Sequence, residues 1–112
     1  IAAQLARIVE LHCPAQAAME DVFVSRDPRG ALKLGQARGA ALVALAQCGL
    51  TVASYPPAVV KRTVTGSGRA DKEQVGHMVR ALLGLPRPVA VDAADALAVA
   101  ICHARGLGRP AR

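Results

Sequence analysis

The run Val91-Asp92-Ala93-Ala94-Asp95-Ala96-Leu97-Ala98-Val99-Ala100 restricts the fold more than any other part of the chain. Ala and Leu dominate it, no breaker interrupts it, and Pro86 and Pro88 stand just upstream, so it opens a helix. Asp92 and Asp95 then fall at i and i+3 in the first turn, on one face, with Cβ atoms roughly 5–6 Å apart. Ala94, Leu97, Ala98 and Ile101 make an apolar stripe suited to docking on a sheet. Two anions held that close repel each other unless a cation sits between them or the positive end of the helix offsets them. Two readings stand at this point. Either one Asp caps the helix while the other solvates its first turn, or the pair offers oxygen ligands to a hard divalent cation such as Mg²⁺.

A chain of 112 residues is one small domain with a modest core. Phe23 and Tyr55 are its only aromatic residues, so that core is built from Ala, Val and Leu. A formal charge of +6 favours an anionic partner such as nucleic acid, a non-specific signal by itself. No apolar run approaches the roughly 18 residues that span a membrane. Cys13, Cys48 and Cys102 are scattered and odd in number, which argues against a disulfide framework and for a reducing compartment. His12-Cys13 and Cys102-His103 lack zinc-type spacing. The chain starts at Ile1, without Met or signal peptide, and reads as cut.

In order, residues 1–11 carry apolar residues at 1, 5, 8, 9 and 11, the back half of an amphipathic helix that His12-Cys13-Pro14 ends. Residues 17–24 read as a buried strand, on which Glu20 and Asp21 point to opposite faces. Arg26 to Gly30 is a turn, and Ala31 to Gln47 a long helix closed by Cys48-Gly49. From Gly39 to Ala46 that helix is apolar all round, which asks for cover on two sides. Its Ala31, Gly35 and Gly39 row suits close helix approach, including contact with a second subunit. Thr51 to Tyr55 is a second strand, and Pro56-Pro57 starts a short helix through Lys61 and Arg62 to Val64. Gly66-Ser67-Gly68 is a flexible connector, Asp71 to Leu85 an amphipathic helix, and the Gly/Arg/Pro stretch from Arg105 a disordered basic tail. The pattern is α/β with a parallel strand pair.

Five segments occur in the order and spacing of one family. They are Glu20-Asp21-Val22-Phe23, Ala31-Leu32-Lys33-Leu34-Gly35-Gln36-Ala37-Arg38-Gly39, Val60-Lys61-Arg62-Thr63-Val64-Thr65-Gly66, Ala70-Asp71-Lys72 with Gln74-Val75, and Asp92-Ala93-Ala94-Asp95-Ala96-Leu97-Ala98. Through them the chain resembles RuvC-type Holliday-junction resolvases over nearly its whole length. The resemblance implies a ribonuclease-H-like (retroviral-integrase superfamily) fold, N-terminally truncated, with residues 1–104 as a partial nuclease domain that lacks the first three strands. It implies a bacterial, cytoplasmic setting in recombination and repair, alongside the branch-migration proteins of the same pathway.

Such enzymes cut four-way DNA junctions as homodimers by paired symmetric nicks, with two Mg²⁺ per active site (Mn²⁺ substituting) held by four acidic residues. By resemblance Glu20 is the acidic residue on the fourth strand, and Asp92 and Asp95 are the two on the last helix. The first acidic residue, on the first strand, has no counterpart here. Lys61 and Lys72 match basic positions near the scissile phosphates, Arg62 and Arg69 add DNA contacts, and Phe23 matches a residue that stacks at the junction crossover. For the homodimer, the Ala31, Gly35 and Gly39 row, read from its pattern alone, is the candidate subunit interface. Asp21 and Arg26-Asp27-Pro28 depart from the family's usual residues. The chemistry is coherent: phosphodiester hydrolysis needs an activated water and charge stabilisation on two oxygens, which metals about 3.5–4 Å apart supply. Three classes therefore compete: a junction endonuclease of which this chain is an inactive fragment, a DNA-binding remnant without catalysis, and an Ala-rich structural module whose Asp pair caps a helix.

Overall fold

Proline and aspartate set where the helices begin. A computed structural model describes residues 2–21 and 27–106. Seven elements follow one another: α1 (Ala2–His12), β1 (Ala17–Glu20), α2 (Pro28–Gln47), β2 (Val52–Tyr55), α3 (Pro57–Thr65), α4 (Lys72–Leu83) and α5 (Val91–Gly106). β1 and β2 pair as a two-stranded sheet. The chain divides into two compact units, one comprising residues 1–17 and 22–53, the other residues 18–21 and 54–112.

In the first unit, α1 packs on α2. The sequence reads Arg26 to Gly30 as a turn, yet α2 already starts at Pro28, because the Asp27 carboxylate accepts from the Arg29 N–H at 3.1 Å and Pro28 fits the first helical position. At its other end the Gly49 N–H donates to the Ala46 carbonyl (2.9 Å) and the Leu50 N–H to the Leu45 carbonyl (3.1 Å), with Gly49 at φ 80°. This is a Schellman closure, which needs a residue that tolerates a left-handed backbone. Only Ala44 of α2 is buried. Leu32 is 63% exposed and Val43 58% exposed, so among the described residues α2 lacks the two-sided cover its composition asks for.

The second unit holds the core. Val60 and Val64 of α3, Val75 and Val79 of α4, and Ala98, Val99 and Cys102 of α5 close on Ala70, with Tyr55 and Ala18 at the edge. The largest side chain wholly removed from solvent is Val79, at 0% exposure. α5 was expected to dock on a sheet; it packs mainly on α3 and α4, since only the edge residues Ala18 and Tyr55 of the strands join its core. β1 is half-buried along its length and not fully buried, as a strand with one partner must be. Strand residues 22–24, expected to continue β1, lie outside the described residues.

α4 is bounded by two devices. Asp71 accepts from the Gln74 N–H at 2.8 Å while the Asp71 N–H donates to the Gln74 side chain at 2.9 Å, a capping box. Gly84, at φ 64°, closes the helix after Leu83, two residues short of the expected Leu85. The Gly66-Ser67-Gly68 connector is more ordered than its composition implies. Thr65 Oγ1 accepts from the Ser67 N–H (3.1 Å), Ser67 Oγ accepts from the Arg69 N–H (3.3 Å), and a Cβ on Gly68 would meet the Ala58 carbonyl at 3.4 Å. α5 runs through Arg105 to Gly106, so the first two residues of the expected tail are helical; the rest lie outside the described residues.

These roles give different costs. Val79→Ala should destabilise the chain by about 2 kcal/mol through lost burial and the space left behind, and Asp71→Ala by about 1 kcal/mol through loss of the cap. Urea titration of both variants checks the ranking.

Candidate nuclease site

The local fold brings four charged side chains, each from a different element, to one cavity. β1 ends at Glu20, α3 carries Lys61 one residue past the buried Val60, and α4 begins at Lys72 directly after its cap. α5 presents Asp95 beside its buried Ala94 and Ala98. Glu20, Lys61, Lys72 and Asp95 line a cavity of about 150 Å³ whose apolar wall is Pro57, Val60, Val75 and Ala98. Short side chains at Val75 and Ala98 matter here: a larger residue at either position would fill the space between the carboxylates.

Electrostatics inside the cavity are strained in a readable direction. Burial pushes the Glu20 carboxyl above its ordinary 4.5, and the neighbouring Asp95 charge pushes it further, while Lys61 and Lys72 pull it down. Desolvation and a like charge thus outweigh two cations. A carboxylate pair in this condition gains from a cation placed between its members, and two hard oxygen donors suit Mg²⁺ better than a softer ion.

Asp92 is placed differently. α5 starts at Val91, so neither aspartate is the cap residue of the helix, which removes the capping alternative in its simple form. Asp92 stands exposed in the first turn and does not line the cavity of Glu20 and Asp95. Among the described residues, no three His, Cys, Asp or Glu side chains sit together as a metal-holding group. Of the three expected carboxylates, the cavity brings Glu20 and Asp95 together and Asp92 stands on the turn before Asp95.

The remaining candidates spread along α3 and α4. Lys72 and Asp95 also line a second cavity, about 480 Å³, with His77, Arg80 and Val89. Arg69 lines a third, about 610 Å³, with Ser67, Asp71 and His77. Arg62 is exposed on α3 and lines none of these three. Phe23 lies outside the described residues. Sequence reasoning missed His77 and Arg80, which line the second cavity with Lys72 although His77, at i+5, does not share its helix face by spacing. Arg80 shapes the second cavity by donating to the Leu85 carbonyl (Nε, 3.2 Å) and the Pro86 carbonyl (Nη2, 2.8 Å), which folds the loop back on α4.

With this geometry in place, similarity to known proteins becomes specific. A family model described as "Crossover junction endodeoxyribonuclease RuvC" matches residues 1–103. A protein of that name from Halorhodospira halophila is 58% identical over 106 residues, covering 95% of this chain and 64% of its own length. One from Ruegeria pomeroyi is 56% identical over 101 residues, covering 90% and 61%. The solved structure of Thermus thermophilus RuvC matches with a TM-score of 0.82 at 40% identity, over 94% of this chain and 64% of that one. The structure of the same protein in complex with a Holliday junction substrate matches with a TM-score of 0.85, also at 40% identity, over 92% and 63%. The chain thus spans under two thirds of the length of each relative named here. Matched almost end to end by the family model and by relatives more than half identical, the chain belongs to the RuvC family, with its ribonuclease-H-like α/β fold.

Proposed function

We propose that this chain is the larger part of a Mg²⁺-dependent endonuclease that recognises four-way DNA junctions and nicks two strands symmetrically. The observation that carries the reading is the cavity in which Glu20 and Asp95 face each other between Lys61 and Lys72. Glu20 and Asp95 would hold a divalent ion, with Asp92 as the adjacent ligand; when bound, that ion supplies charge stabilisation to a phosphodiester undergoing hydrolysis. Lys61 and Lys72 attract and orient the scissile phosphate, and the apolar wall of Val60, Val75 and Ala98 limits water around the carboxylates. Because residues 1–112 furnish a carboxylate pair where two ions would need more fixed oxygens, the chain as it stands binds junction DNA without cutting it. The setting is the bacterial cytoplasm; among the described residues no helix is long and apolar enough to cross a membrane.

The same reading makes the protein a homodimer through α2. Leu32, Gly35, Gly39 and Val43 share one face at helical spacing, and a Cβ on either glycine would meet nothing within 4 Å. An apolar face with open glycine positions accepts another helix at short range. Gly39→Glu should convert a dimer to a monomer in sedimentation velocity while leaving the helical circular dichroism intact; an unchanged dimer would place the interface elsewhere.

Linkage fixes the pH behaviour of the metal. The folded state holds the Glu20 proton more tightly than the unfolded chain, so the stability this group contributes is present below its ordinary 4.5 and is lost as pH rises through the raised value. Mg²⁺ competes with that proton and restores the loss. Added Mg²⁺ should therefore raise the melting temperature at pH 7 and much less at pH 4.5, and Asp95→Asn should abolish the rise at pH 7.

Phosphate contact separates the lysines. Lys61→Ala and Lys72→Ala should each weaken four-way junction binding and lower its salt dependence by about one ion, whereas Lys33→Ala on α2 should do neither. Equal behaviour of all three across a salt titration would reduce Lys61 and Lys72 to solvated surface charge.

A further inference from the structure

The carriers of the two cavity carboxylates are tied together by Tyr55. Its main-chain carbonyl accepts from the Asp21 N–H at 2.8 Å, the residue next to Glu20. Its hydroxyl lies 2.5 Å from Nδ1 of His103 on α5, donating to that nitrogen when the imidazole carries its proton on Nε2. The two rings meet edge to face, with centroids 5.7 Å apart at 64°. One residue of β2 thus holds the end of the strand that bears Glu20 and the far end of the helix that bears Asp95. His103 stands about 12 Å down the helix axis from Asp95, a little over two turns.

α5 needs such an anchor because of what it buries. Its core face is Ala94, Ala98, Val99 and Cys102. Small side chains give shallow ridges, and burial of apolar area is non-directional, so packing alone resists sliding along the axis weakly. Hydrogen bonds are directional and fix a register. A second bond at the same end works with the first: Arg105 Nη1 donates to the Thr63 carbonyl on α3, the helix that carries Lys61.

We propose that Tyr55 is a positioning residue of the site: through His103 it sets the register of α5 against β1 and β2, and with it the distance between Asp95 and Glu20. The proposal rests on the reading of Glu20 and Asp95 as a metal-binding pair, and it adds a residue that touches neither metal nor DNA.

The test uses Mn²⁺ as the probe, its binding to the 112-residue chain read by electron paramagnetic resonance, with melting in the absence of metal measured beside it. Tyr55→Phe keeps the ring and the main-chain bond but removes the hydroxyl; it should weaken Mn²⁺ binding by about tenfold while melting within a few degrees of the parent. His103→Phe should do the same, and His103→Asn, whose Oδ1 replaces Nδ1 as acceptor, should bind close to the parent. Mn²⁺ affinity unchanged in Tyr55→Phe, in a protein whose Asp95→Asn variant has lost binding, overturns the proposal and leaves the metal reading standing. Asp95→Asn that binds like the parent overturns both. Where Tyr55→Phe does not fold, the two His103 variants decide: equal affinity in both is incompatible with a register role.

Discussion

Two carboxylates in a half-buried cavity repel each other, and burial opposes the charge on Glu20. Glu20 and Asp95 nonetheless share such a cavity, because the strand end and the helix that bear them are fixed by packing that has nothing to do with charge. The unfavourable pair is held in place by the Val60–Val64–Val79–Ala98 core, and its residual strain shows in the raised Glu20 carboxyl. On the proposed reading, a divalent cation would relieve that strain, and the arrangement that costs stability in the free chain would then favour metal binding.

Small residues run through each level of this arrangement. Ala94 and Ala98 let α5 lie against α3 and α4, Ala98 with Val75 leaves room for the cavity, and Gly68 lets the connector cross Ala58. Close approach has a drawback: faces made of Ala resist sliding weakly, and the fold compensates with directional contacts. The Asp71–Gln74 capping box fixes where Lys72 begins α4, Arg80 folds the following loop back, and Tyr55 ties β2 to α5. Charge placement at the site depends on these polar fixings as much as on burial.

Much of this was legible in the residues. The 91–100 run gave α5 and its carboxylates, because hydrophobic period and breaker residues decide element type locally; Glu20, Lys61 and Lys72 came from the family resemblance, and the structure sets all three on the cavity that Asp95 lines. Family membership rested on five spaced segments and is supported over residues 1–103. What was not legible is instructive. Asp92 and Asp95 share a face in sequence terms, but a helix turn separates which of them reaches the cavity, and that depends on how α5 is rotated against β1. The pairing of Tyr55 with His103, 48 positions apart, has no local signal, and Cys102-His103 drew attention only as a failed metal motif. The start of α2 was read three residues late because Asp27-Pro28 serves turns and helix starts equally well.

The central proposal is that Glu20 and Asp95 belong to a metal-dependent nuclease site. The direct measurement joins the chain to the N-terminal segment of the Halorhodospira halophila relative and follows cleavage of a labelled four-way junction in Mg²⁺. The account predicts symmetric nicks by the joined protein, none by the 112-residue chain, and none by the joined protein carrying Asp95→Asn, which should still bind the junction. Cleavage by the isolated chain, or undiminished cleavage with Asp95→Asn, would contradict it.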